Sequence, residues 1–376
     1  MKKLIIFFAL LISISGFSYA EDTIMEEQKS MIGISDFIKE ANKYSDENFG
    51  DMNEILNSAI KGEVDNSNII KKIVNNITKE IKQTIKLLGS VLVIIIIHSI
   101  LKSITESLEN ESVSKIAYYV QYILIVTLVM TNFSGIIDLV KDTIQNLVGF
   151  MNSLLPILLT LMIATGNITT ASTIQPIVLL IITFIGNAIT YVILPILLVS
   201  TALGIISKIA DKVQIDKLSK YFKSSIVWFL GIVLTIFVGV VSIEGTLTSS
   251  VDGITAKTAK TAVSTLIPVV GKILGDSVDT VIGCANILKG AVGIVGVIVV
   301  ISISIIPIIK VAILSMSYYL TSAIAQPIAD GKIVSLLEQI GDTFKVILAI
   351  LFSISTMLII GTTLVIKISN SGLMYR

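Results

Sequence analysis

From Thr143 to Ser207 the chain runs for 65 consecutive residues without a formal charge. Soluble domains carry about one charged residue in four, so a stretch of this length without any marks a membrane protein. The pattern recurs at shorter length. Charges bracket uncharged runs of 15 residues between Lys86 and Lys102, 22 between Lys115 and Asp138, and 20 between Lys223 and Glu244. Further runs of 20, 19 and 21 lie between Lys289 and Lys310, Lys310 and Asp330, and Lys345 and Lys367. At about 1.5 Å per helical residue and about 30 Å of hydrocarbon, each matches one crossing, the first stretched by the snorkelling stems of Lys86 and Lys102. In hydrocarbon every backbone polar group needs an internal partner, so the runs read as helices. The fold class is therefore all-α, a polytopic membrane bundle.

The long run sets the span count. It is interrupted by Pro156, by the polar patch from Thr165 to Thr173, and by Pro176 and Pro195, and it has room for one, two or three crossings. The total is then about seven to nine. Ahead of them Met1-Lys2-Lys3, an apolar stretch to Phe17 and Ser18-Tyr19-Ala20 read as a signal peptide, cleaved after residue 20. Residues 21–86 form an extracytoplasmic helical region in which 13 acidic residues outnumber 8 basic ones through Lys82. Ile55, Ile60, Ile69, Ile70, Ile73, Ile77, Ile81 and Ile85 mark an amphipathic helix running toward the membrane domain, residues 87–376.

Two signals disagree about the loop Lys208–Lys223. Its five lysines against Asp211 and Asp216 place it in the cytoplasm, which requires an odd number of crossings in the long run. An internal repeat at offset 112 pairs Pro156 with Pro268 and Pro195 with Pro307, and inverted halves of that kind would place the loop on the other side.

Chemistry is scarce. A net charge of +1 provides no basic field for nucleic acid, and a single cysteine (Cys284) and a single histidine (His98) leave no thiolate cage and no histidine-based catalytic set. No Walker A loop is present, so energy coupling would come from a partner. Gly290, Gly293 and Gly296 read as a small-residue packing face rather than a nucleotide loop. His98, near the end of its run, reads as a neutral interfacial side chain. No enzyme activity and no cofactor or metal is expected.

The segment 245–289 is neither apolar enough to cross nor polar enough to be a free loop. Ala256, Ala259, Val263, Leu266, Val270 and Val281 recur at helical spacing, with Lys257, Lys260, Lys272, Asp276 and Asp279 on the complementary face. That is an interfacial amphipathic segment, bent at Pro268, with Gly271 and Gly275 allowing close packing. Asp252, Gly253, Lys257, Lys260, Pro268, Gly271, Asp276 and Asp279 are its candidate interaction or pore-lining residues.

The stretches Ser250-Val251-Asp252-Gly253-Ile254-Thr255-Ala256-Lys257-Thr258-Ala259-Lys260, Ile267-Pro268-Val269-Val270-Gly271 and Asp276-Ser277-Val278-Asp279-Thr280-Val281-Ile282, in that order, resemble the central part of the stage III sporulation protein AE family. The likeness extends to the N-terminal leader, the acidic stretch and the proline-centred runs. It implies a multi-pass protein of the mother-cell membrane facing the forespore, within a secretion-like channel complex joining the two cells. It also implies as partners other membrane and ring-forming subunits, a secretion-type ATPase and a forespore-membrane protein. A stand-alone permease or secondary transporter is the alternative. Such a carrier should hold paired charges near the midplane of its spans.

Overall fold

A computed structural model describes residues 24–45, 49–63, 78, 80–86, 88–97, 99–100, 111–209, 215–266 and 270–371. Every regular element among them is helical: α1 (Ile34–Tyr44), α2 (Met52–Lys61), α3 (Glu111–Ala164), α4 (Ile168–Ala188), a π-helical stretch (Ile189–Ile193), α5 (Leu194–Ile209), α6 (Asp216–Leu266), α7 (Val270–Ala325) and α8 (Gly331–Ser371). Residues 24–32, 80–86 and 88–97 add helical backbone. The leader, His98, Pro268 and residues 64–77 lie outside the described residues.

Among the described residues five helical stretches are long and apolar enough to cross a membrane: Tyr122–Ala164, Ile168–Lys208, Asp216–Gly245, Val278–Ala325 and Gly331–Lys367. These are fewer than the charge-bounded runs, because counting charges assigns a turn wherever a run ends. The runs on either side of Lys310 share α7, and those on either side of Asp138, Lys141 and Asp142 share α3. Ending a helix takes residues that stop it, and Asp138-Leu139-Val140-Lys141-Asp142 contains none. Nor does Lys310 mark a water boundary, since its ammonium pairs with Glu80 at 3.6 Å and both side chains are largely covered.

Within the 65-residue run only the polar patch breaks the helix. Gly166 adopts φ 84°, with Gly166 N–H on the Ile163 carbonyl at 2.9 Å and Asn167 N–H on the Met162 carbonyl at 2.9 Å. These are the paired bonds of a left-handed C-terminal cap, and glycine fits without strain. Pro156, Pro176 and Pro307 lie inside helices. Pro195 follows the π-helical stretch, whose wider turn accommodates a ring that would otherwise press on the Tyr191 carbonyl and which lacks an N–H.

The chain from Ile168 to Ile209 runs antiparallel to α6, with Thr169 and Thr170 beside Asp252, Ser200 beside Ser219 and Lys208 beside Asp216. Helix α8 lies along α6, from Lys223 against Gln339 to Phe237 against Gly361, and antiparallel to α7, from Ser322 against Val334 to Gly293 against Ile366. Helix α3 packs along α7 and α8: Phe133 meets Phe344 edge-on at 5.8 Å, and Leu154 occupies the notch at Gly296. Added Cβ atoms at Gly293 and Gly296 would collide with Ile366 and Leu154, so two of the three glycines singled out from the sequence are close-approach points.

The N-terminal helices dock on one end of this bundle. Phe37 and Tyr44 pack on Phe150 at 6.1 and 6.0 Å between ring centroids, and Gln28 donates to the Val281 carbonyl at 3.0 Å. Asp51 starts α2 by accepting from Asn53 N–H at 2.9 Å. That bond, with one from Asn42, holds its carboxyl below the usual range. At the other end Tyr122 donates to the Ile205 carbonyl at 2.9 Å, close to the Lys208–Asp216 pair. Phe150 and Tyr122 are 28 residues apart on one helix, about 42 Å. The N-terminal region and the lysine-rich loop thus sit at opposite ends of these helices. In residues 80–97 the buried stripe is Thr84, Leu88, Val91 and Ile95, while Ile81 and Ile85 face outward. The Glu80–Lys310 pair fixes this rotation, which the isoleucine spacing alone does not reveal.

Candidate functional site

The sequence-marked segment 245–289 is divided between two long helices. Its first part continues α6 to Leu266 and its last part opens α7 at Val270. Gly253, Lys257 and Lys260 follow Asp252 along α6; Gly271, Asp276 and the half-buried Asp279 lie in the first turns of α7; Pro268 is outside the described residues.

Asp252 has a defined role. Its side chain is 3% exposed, and its two carboxylate oxygens accept from Thr169 N–H at 2.9 Å and Thr170 N–H at 2.8 Å. Those are orphan donors of the first turn of α4. The cap position itself, Asn167, makes no side-chain cap bond, its amide being turned to Thr165 Oγ1 at 2.9 Å. A carboxylate from a helix 82 residues away therefore does the capping and offsets the positive end of the α4 dipole. Burial pushes the Asp252 carboxyl up, yet the bonds from Thr170 and Thr169 outweigh it and hold the group below the ordinary carboxylate range. The structure joins two features that the sequence offered separately, the polar patch and the Asp-Gly of the resemblance.

A second cluster was not anticipated. At the lysine-loop end Lys223 is 7% exposed and donates to the Gln339 carbonyl at 3.0 Å. Around it Ser200 and Ser219 exchange bonds with each other's carbonyls at 2.8 Å, and Thr343 bonds the same Gln339 carbonyl at 2.9 Å. Among the described residues the Gln339 amide has no hydrogen-bond partner for its oxygen or its nitrogen, and it fills the notch at Gly204, where a Cβ would collide with it. Read from sequence, Lys223 is one of five loop lysines; helix α8 lying across it makes it a buried cation. Lys289, on α7, is likewise fully buried and bonds Asn286 Oδ1 at 2.9 Å. Buried charge inside membrane helices is costly and is kept where it orders polar partners or a polar path. Among the described residues no group of histidine, cysteine and carboxylates could hold a metal ion.

A family profile described as Stage III sporulation protein AE matches residues 50–369. The Stage III sporulation protein AE of Bacillus subtilis (strain 168) is 31% identical over 265 residues, which make up 70% of this chain and 66% of that relative, just under two thirds of its length. No solved structure matches.

Proposed function

The chain belongs to the stage III sporulation protein AE family, and on that premise we propose that it is a non-enzymatic, multi-pass component of a secretion-like channel complex. In this reading it sits in the mother-cell membrane facing the forespore, and it works with other membrane and ring-forming subunits, a secretion-type ATPase and a forespore-membrane protein. The observation that carries the reading is helix length. Helices α3 and α7 have 54 and 56 residues, about 81 and 84 Å, against a hydrocarbon core of about 30 Å. Such rods project far beyond one bilayer and carry the docked α1 and α2 to where partners can be met.

Reversing Lys257 and Lys260 to Glu tests it. The variant should insert and accumulate, because the apolar helices are unchanged, yet it should lose its partners in pull-downs from sporulating cells and lower spore yield. Wild-type recovery of partners together with normal yield would remove that face from the assembly. The buried Lys223–Gln339 cluster favours a second reading, a stand-alone carrier, which requires solute flux in vesicles holding this protein alone.

A further inference from the structure

We propose that the groove between the π-helical stretch Ile189–Ile193 and the start of α6 binds one anionic phospholipid, an acyl chain lying in the groove and the phosphate at Lys217. The groove encloses about 830 Å³ and is walled by Phe184, Tyr191, Ile196, Tyr221, Trp228 and Phe229, with Asn187 and Ser225 as its few polar groups. That size and mix suit a small apolar ligand. Its origin is Pro195, which the chain accommodates with a π turn that widens the helix beside α6. The aromatic walls are uncovered: Tyr191 and Trp228 are each 72% exposed.

Charge and length select the occupant. Lys217 is four residues before Tyr221 and eight before Ser225, so helical geometry sets it about one turn above the first and two above the second, on the groove face. Its neighbours Lys208 and Lys220 both hold Asp216, at 3.4 and 2.9 Å, and this screens that carboxylate, which would otherwise repel a phosphate. Lys217 itself is exposed and has no ion pair among the described residues. From Phe184 to Ile196 the wall is about 18 Å long, close to one leaflet of a core of about 30 Å. A partner helix crossing the membrane needs an apolar groove through the full core, whereas a single lipid needs one leaflet with a cation at its mouth. The inference stands apart from the proposed sporulation role.

Trp228 is the sole tryptophan of the chain, so its fluorescence reports on this groove alone. The full-length protein is reconstituted in phosphatidylcholine vesicles containing either brominated phosphatidylglycerol or brominated phosphatidylcholine with the same acyl chains. Quenching by the phosphatidylglycerol should reach half-maximum at a mole fraction about fivefold lower, the preference expected from one lysine facing an anionic headgroup. Lys217→Gln should abolish that difference while keeping quenching by brominated phosphatidylcholine. Ser225→Phe, which fills the groove, should abolish it too, with unchanged helical circular dichroism. Equal quenching by both headgroups would mean ordinary surrounding lipid, absent quenching would mean a protein occupant, and a headgroup preference surviving Lys217→Gln would put the phosphate elsewhere. Each of these would overturn the proposal.

Discussion

Replacing Asp252 tests whether one carboxylate on α6 sets the start of α4. Asp252→Ala removes both acceptors from Thr169 and Thr170, and Asn167 is already committed to Thr165. Cap replacements cost about 0.5–2 kcal/mol, and a charge at a partly buried helix end contributes up to about 2 kcal/mol more. At 3% exposure water cannot easily replace the carboxylate, so about 2–3 kcal/mol is expected. Asp252→Asn, which keeps one acceptor but presents its NH2 to an N–H, should lose about half of that. The assay is hydrogen exchange in detergent over residues 168–175. An opening free energy lowered by about 2 kcal/mol speeds exchange about 30-fold. Acid adds a second readout. The folded carboxyl titrates below its unfolded value of about 3.9, so its contribution is full above that pH and is lost as pH falls through the lower folded value. Asp252→Asn has no group to titrate there, and its difference from the native chain should shrink over that window. Unchanged exchange at Thr169 and Thr170 in Asp252→Ala would refute the capping role.

At the opposite end, Lys223→Met keeps the bulk and removes the buried charge. Its melting temperature in detergent should match or exceed the parent's, since a buried charge replaced by a similar apolar side chain is often neutral or stabilising by about 1–4 kcal/mol, whereas spore formation should fall if the cation serves the complex. Phe150→Ala removes the ring against which Phe37 and Tyr44 pack, at a cost of about 3–5 kcal/mol. Limited trypsinolysis should then cut faster at Lys39 and Lys61, with the membrane helices unaffected. For topology, Ser219 is a blind position, being 1% exposed and bonded to Ser200; a cysteine at the exposed Leu218 serves instead. It should resist membrane-impermeant thiol reagents in intact cells while one at Ser45 reacts, and the native Cys284, buried, should stay silent.

What the residue string determined by itself is whatever follows from local composition. Uncharged runs read as membrane helices because backbone groups in hydrocarbon have no other partners, and the polar patch from Thr165 to Thr173 reads as an interruption, which the structure makes at Gly166 with a left-handed turn. The packing role of Gly293 and Gly296 was legible for the same reason: a missing side chain leaves room wherever a neighbour comes close. The tertiary structure decided everything that depends on a residue far along the chain. Charges at Lys310 and at Asp138 to Asp142 looked like membrane edges, but a charge reports solvation only when nothing covers or pairs with it, and Glu80 does both for Lys310. Asp252 carries no local mark of the bonds it accepts from the start of α4, 82 residues away. Lys223 looked like a solvated loop lysine until Gln339, 116 residues on, closed over its ammonium. Pairings across that distance leave no local period, because the energy that fixes them is the desolvation of one group by another, and only the folded chain brings the two together.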